Sequence, residues 1–101
     1  MYIIGFIQDS QPRALINPVP CATREKLYTW IDEFLNERDF KLEAPITQES
    51  LEQALAANKP VTIPFTGYKV KLMFGPEEVI HAATDRFVHN LDGISGYFQK
   101  Q

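Results

Sequence analysis

Tyr2-Ile3-Ile4-Gly5-Phe6-Ile7-Gln8 contains the longest apolar run of the chain, and the rest of the fold has to be built around it. A short run of β-branched and aromatic residues is typical of a mostly buried strand. A glycine inside a strand indicates a bulge or the close approach of another backbone. The sequence therefore predicts a first strand from Tyr2 to Gln8 with such a feature at Gly5.

A second strand is predicted to return from this one. Asp9 to Pro12 forms a turn cluster, and Arg13 to Asn17 would complete a hairpin. Asn17-Pro18-Val19-Pro20 cannot be helical, because each proline favours extended geometry in the residue before it. This segment is predicted to be a stiff connector.

Two amphipathic helices follow, over residues 24 to 38 and 48 to 57. Thr23 is the expected N-cap of the first, and Thr47 that of the second, with Ile46 and Leu51 placed as a hydrophobic staple. Apolar residues recur at helical spacing in the first helix: Leu27, Trp30, Ile31, Phe34 and Leu35. Its opposite face is polar and suited to water.

A second hairpin and a third helix complete the predicted elements. Val61 to Phe65 and Tyr68 to Phe74 would pair around Thr66-Gly67, with Pro64 confining its strand to a sheet edge. Gly75-Pro76 would start the last helix and Asp92-Gly93 would end it. The segment 94–101 either packs as a short strand or stays exposed.

These elements predict one α+β domain over residues 1–101. It would be a two-layer sandwich, in which an antiparallel sheet of two hairpins, with about three to five strands, is covered by three helices in the order ββααββα. A chain of 101 residues with 45% apolar residues has room for one core.

Composition narrows the function classes. The net charge is −3, and the ten basic residues are scattered, whereas nucleic-acid binding favours a cluster of them. The single Cys21 cannot form an internal disulfide, and no apolar run approaches the ~20 residues of a membrane span. We therefore expect a cytoplasmic protein without a membrane segment.

The two histidines of the chain offer its clearest candidate chemistry. His81, Asp85 and His89 are four residues apart on the predicted third helix, so they would share one exposed stripe with Glu78. A pair at this spacing could hold a metal ion, although the outer imidazoles would be about 12 Å apart. The alternatives are a small metal-dependent or hydrolytic enzyme and an ordinary solvated helix face.

Cys21 is a second candidate. A thiol at a helix N-terminus could act as a nucleophile, but a lone cysteine is more commonly a small buried apolar residue. The chain has no glycine-rich phosphate loop and no CxxC pair. The sequence therefore predicts no cofactor.

A recognition surface is the remaining candidate. Phe65 and Tyr68 near a hairpin tip, and Tyr97 and Phe98 in the tail, could anchor a partner or could equally close the core. The acidic residues expected on exposed helix faces form two groups: Glu25, Asp32 and Glu33 on the first helix, and Glu78 and Asp85 on the third.

These features favour a small intracellular protein-binding module that is not an enzyme. It would act as an adaptor, regulator or inhibitor of a partner protein with a basic surface, a class that phages and plasmids also encode against host machinery. A homo-oligomer stays open. A weak nucleic-acid binder using Tyr68, Lys69 and Lys71 is the third alternative.

Overall fold

The computed structural model of this chain describes residues 1–37, 42 and 46–89. The described part is an α+β fold with five strands in one sheet and three helices. In chain order the elements are β1 (Tyr2–Gln8), β2 (Gln11–Cys21), α1 (Arg24–Glu37), α2 (Gln48–Ala56), β3 (Val61–Pro64), β4 (Val70–Pro76), α3 (Glu77–Ala83) and β5 (Arg86–Val88).

The sheet has the strand order β3-β4-β1-β2-β5, which places β1 at its centre. β1 pairs antiparallel with β2 and β4, and β3 pairs antiparallel with β4. β5 pairs with β2 in parallel, so the prediction of a purely antiparallel sheet is wrong for this strand. The predicted order ββααββα also lacks this fifth strand.

Two apolar clusters lie on opposite faces of the sheet, because successive side chains of a strand point to opposite sides. Ile4 and Phe6 of β1 belong to the larger cluster, together with the buried faces of α1 and α2. Ile3 and Ile7 belong to the smaller cluster, together with Ile80 of α3. The predicted two-layer arrangement is therefore incomplete, since α3 packs against the other face.

Gly5 is the predicted site of close backbone approach. A Cβ added there would lie 2.7 Å from the Leu15 Cγ and 2.9 Å from the Ile16 carbonyl oxygen of β2. The β1–β2 register shifts between Ile4 and Phe6, and Asn17 on β2 adopts a positive φ of 51°. A bulge in β2 opposite Gly5 accounts for both observations.

The segment predicted as a connector, residues 17–20, is the continuation of β2. β5 pairs only with Ala14, Leu15 and Ile16, so the part of β2 that carries Pro18 and Pro20 has its paired neighbour, β1, on one side. Prolines are tolerated where a strand lies at the edge of a sheet. Val19, which precedes Pro20, lies in the strand as the expected extended geometry requires, but Asn17, which precedes Pro18, has a positive φ. The exclusion of this segment from the strand was wrong.

The first two helices begin at their predicted caps. The Thr23 Oγ1 accepts a hydrogen bond of 3.2 Å from the Lys26 backbone N–H. The Thr47 Oγ1 accepts one of 3.1 Å from the Ser50 N–H, and the Ser50 hydroxyl accepts one from the Thr47 N–H in return. This reciprocal pair is a capping box.

The third helix is much shorter than predicted. α3 ends at Ala83, and Thr84 is already extended with φ −124° and ψ 150°. Phe87, which fits the helical pattern, pairs instead with Leu15 of β2, and Val88 pairs with Ile16. Pairing with β2, which is distant in sequence, therefore outweighs the local helical periodicity. Asp92-Gly93, the predicted end of the third helix, lies outside the described residues.

The second hairpin has the predicted order but a wider turn. β3 ends at Pro64 and β4 begins at Val70, and Gly67 in the turn has a φ of 87°. β3 forms an edge of the sheet, as its proline predicted. Among the described residues, no helix combines the length and apolar character needed to cross a membrane.

Candidate functional site

The structure does not form the predicted stripe of His81, Asp85 and His89. His81 lies in α3, Asp85 lies in the bend between α3 and β5, and His89 follows β5. Because α3 ends at Ala83, the spacing of four residues does not place these three side chains on one helix face. Within residues 1–37, 42 and 46–89, no three or more His, Cys, Asp or Glu side chains are placed to hold a metal ion.

His81 and Asp85 each have a structural partner. The His81 ring stacks on Phe87 of β5 with centroids 5.1 Å apart, and its Nε2 lies 3.7 Å from a Glu77 carboxylate oxygen. The Asp85 carboxylate accepts a hydrogen bond of 2.8 Å from the Arg13 Nε, and its backbone N–H donates to the Arg13 carbonyl oxygen at 2.7 Å. The contacts of Asp85 connect the end of the described chain to β2, whereas those of His81 join α3 to β5 and stay within α3.

Cys21 lies in the core rather than at an open helix terminus. Its exposed fraction is 4%, and burial raises the pKa of its thiol, with Lys26 opposing the shift. A buried thiol with a raised pKa is a poor nucleophile. The structure thus matches the alternative of a small apolar core residue.

The predicted aromatic anchors are distributed between core and surface. Phe65 is 2% exposed, and its ring lies 6.1 Å from that of Phe34, so the expectation of an exposed anchor at Phe65 is corrected. Tyr68 is half-buried and packs against the same cluster. Tyr97 and Phe98 lie outside the described residues.

The acidic face predicted on the first helix is present. Glu25, Asp32 and Glu33 are exposed along α1, whose opposite face buries Leu27, Ile31 and Phe34. None of these three carboxylates has an ion pair with a residue of the described ranges. We call these three residues the α1 acidic face.

The second predicted acidic face does not exist as a helix face. Glu78 is exposed on α3, but Asp85 lies beyond the end of that helix and is bound to Arg13. On the hairpin side, Lys71 lies 3.9 Å from an Asp9 carboxylate oxygen, and Lys69 is exposed. The α1 acidic face is therefore the charged feature that keeps its predicted form.

A cleft between α1 and α2 was not predicted from the sequence. Its volume is about 300 Å³. The lining residues are Tyr28, Thr29, Ile31, Asp32 and Leu35 of α1, Leu51 and Gln48 of α2, and Ile46 and Thr47, which precede α2. We call it the α1–α2 cleft, and Asp32 belongs both to it and to the α1 acidic face.

Tyr28 contributes an unusual polar group to this region. Its hydroxyl is fully enclosed and has no hydrogen-bond partner among the described residues. Burial, together with the charge of Glu52, raises the pKa of this phenol. Nearby, the Tyr2 hydroxyl accepts a hydrogen bond of 2.8 Å from the Arg24 Nε, so these two tyrosines have contrasting surroundings.

Searches with this chain against protein-family models, curated proteins and solved structures found no match. A function for this chain therefore has to be inferred from its geometry and chemistry.

Proposed function

We propose that this chain is a protein-binding module that acts as an adaptor, regulator or inhibitor, and that its α1 acidic face meets a basic surface of the partner protein. The observation that carries the proposal is the exposure of Glu25, Asp32 and Glu33 on one helix, without ion pairs inside the described chain. Exposed carboxylates without such ion pairs can attract the basic residues of a partner protein electrostatically.

The support beneath these carboxylates favours binding with little rearrangement. Leu27 and Ile31 of α1 are 0% and 1% exposed, and Thr23 caps the helix. A helix held this firmly presents its exposed side chains in a fixed arrangement, so association loses less conformational entropy. The charges would mainly raise the association rate and the specificity.

A cytoplasmic setting is part of the proposal. Cys21 is a free, buried thiol, which is compatible with a reducing compartment.

The test compares two baits that differ only in where the charge is reversed. Asp32→Lys with Glu33→Lys changes the middle of α1, where a helix dipole has little influence. Glu49→Lys with Glu78→Lys makes the same change in net charge at exposed residues in the first turns of α2 and α3, where the helix dipole favours an acid, so capture is compared at a temperature at which both variants are folded. Both variants are first shown to fold by circular dichroism and by their melting temperature.

Partner proteins from the native host are captured on the wild-type chain and on each bait and are quantified by mass spectrometry. The proposal expects a partner that the control bait retains and the α1 bait loses, with a wild-type affinity that falls as salt rises. If every protein captured by the wild type binds both reversed baits equally, the α1 acidic face is not the binding surface and the proposal fails.

A further inference from the structure

We infer that the α1–α2 cleft receives one apolar side chain of the partner, from a segment in which lysine or arginine flanks that side chain. The inference rests on the proposed function and deepens it, because it assigns an apolar anchor to a surface so far described only by its charge. The size, the walls and the electrostatics of the cleft each support it.

The size of the cleft limits its occupant. A volume of about 300 Å³ lies at the lower end of the range of small-molecule sites. It suits one or two side chains better than a large cofactor. Binding energy in protein interfaces is commonly concentrated in such buried anchor side chains.

The walls of the cleft are apolar at the base and polar at the rim. Ile31 and Leu51 are 1% and 6% exposed and belong to the larger core cluster, which fixes the base. Leu35 and Ile46 are half-buried, so each has apolar surface that an occupant can cover. Thr29 and Gln48 are exposed at the rim.

The charge around the cleft selects basic neighbours for that side chain. Asp32 lines the cleft directly. Glu25 precedes it by seven residues, which is about two helical turns, so both carboxylates point to nearly the same side of α1 at a spacing of about 10 Å. On α2, the Glu52 carboxylate accepts a hydrogen bond of 3.4 Å from the Nε2 of Gln48, which lines the cleft.

Carboxylates therefore lie on both sides of an apolar depression, which is complementary to a basic segment with an apolar residue at its centre.

The test uses two synthetic peptides, acetyl-Gly-Lys-Lys-Leu-Lys-Lys-Gly-amide and the same peptide with alanine at its centre. Each is titrated into the isotopically labelled full chain, and amide chemical shifts are followed by NMR. We expect the leucine peptide to shift Thr29, Asp32 and Gln48 and to bind at least fivefold more tightly than the alanine peptide, because leucine buries more apolar surface in the cleft than alanine does.

Two tryptophan variants separate the cleft from the charge. Thr29→Trp fills the cleft while it leaves every carboxylate in place, and Gln53→Trp adds the same side chain on the exposed face of α2, away from the lining residues. We expect Thr29→Trp to reduce the preference for leucine over alanine to less than twofold, and Gln53→Trp to keep it.

Failure of this inference is distinguishable from failure of the proposed function. Equal affinity for both peptides, or shifts confined to the acidic face, overturns the apolar anchor and leaves the bait comparison to decide the function. Absence of any shift with the leucine peptide at millimolar concentration also overturns the anchor. A preference that Thr29→Trp leaves intact places the anchor elsewhere.

Discussion

Replacing Gly5 by alanine tests how the central strand is packed. Gly5 lies in β1, between β2 and β4, and its missing side chain leaves room for Leu15, which is 0% exposed. A Cβ at residue 5 would be 2.7 Å from the Leu15 Cγ and 2.9 Å from its Cδ1. It would also be 2.9 Å from the Ile16 carbonyl oxygen, a backbone atom that cannot rotate away.

Overpacking of a well-formed core by one methyl group typically costs about 1 to 3 kcal/mol. Because one of the close contacts is with backbone, we expect Gly5→Ala to lower the free energy of unfolding by about 2 to 3 kcal/mol. For a domain of this size, that corresponds to a fall in melting temperature of roughly 10 to 20 °C. Urea unfolding, followed by Trp30 fluorescence and by circular dichroism, measures both the free energy and the m-value.

Gly75→Ala is the matched control on the neighbouring strand. A Cβ there would lie 3.5 Å from the Ile80 Cδ1, which is an ordinary contact distance. We expect its free energy of unfolding to stay within about 0.5 kcal/mol of the wild type, or to rise slightly because alanine restricts the unfolded chain. If Gly5→Ala proves as stable as Gly75→Ala with an unchanged m-value, the packing described around β1 is refuted.

Three further predictions follow from single residues. Tyr28→Phe removes an enclosed hydroxyl that has no partner among the described residues, so it should raise the free energy of unfolding, measured in urea, by about 1 kcal/mol. Tyr2→Phe loses the hydrogen bond from Arg24 and should lower the free energy of unfolding slightly. If Tyr28→Phe is the less stable of the two variants, the Tyr28 hydroxyl does have a partner. Burial raises the pKa of the Cys21 thiol from its ordinary value of 9.0. The stability that the neutral thiol contributes should therefore be complete below about pH 9 and should be lost as the pH rises through the folded-state pKa. Unfolding titrations of Cys21→Ala should not show this loss. Asn58 follows α2 and has a φ of 55°, a conformation that glycine adopts readily and alanine does not. Asn58→Gly should therefore be tolerated, whereas Asn58→Ala should lower the free energy of unfolding by about 1 kcal/mol. Equal stability of the two variants would show that the backbone at residue 58 is not strained.

The elements that local pattern could predict are those whose signals lie within a few residues of one another. Thr23 and Thr47 cap the helices that follow them, because the hydroxyl of a cap bonds to an N–H three residues away. Gly5 could be assigned a close contact because a glycine inside an apolar strand commonly marks a bulge or a neighbouring backbone that leaves no room for a side chain. The exposed acids of α1 follow from the helical period in the same way.

The end of the described chain could not be predicted by these means. Phe87 fits the helical spacing that follows Pro76, and a three-residue strand is too short to show a period of its own. Its strand state depends on pairing with Leu15, far away in sequence, and on the contacts of Asp85 with Arg13. The predicted stripe of His81, Asp85 and His89 is not formed, because it required the third helix to continue through residue 89.

The α1–α2 cleft was missed for a related reason. Leu35, Ile46 and Leu51 each fit a core position in their own segments, and their spacing says nothing about a gap between the two helices. A gap depends on how closely α1 and α2 pack, which is a tertiary property. The acidic rim at Asp32 was predictable, and the depression beside it was not.

The central position of β1 also governs the order in which the sheet can be completed during synthesis. β2 follows β1 directly and can form a hairpin with it, but the other neighbour, β4, is synthesised only after both long helices. Until then, one edge of β1, the strand that carries Ile3, Ile4 and Ile7, has no partner strand to cover it. Unpaired apolar edges of this kind recruit other chains, and non-local pairing is slow. A nascent chain is therefore exposed to aggregation through this edge until Val70 to Pro76 has been made, even though the finished sheet encloses the strand on both sides.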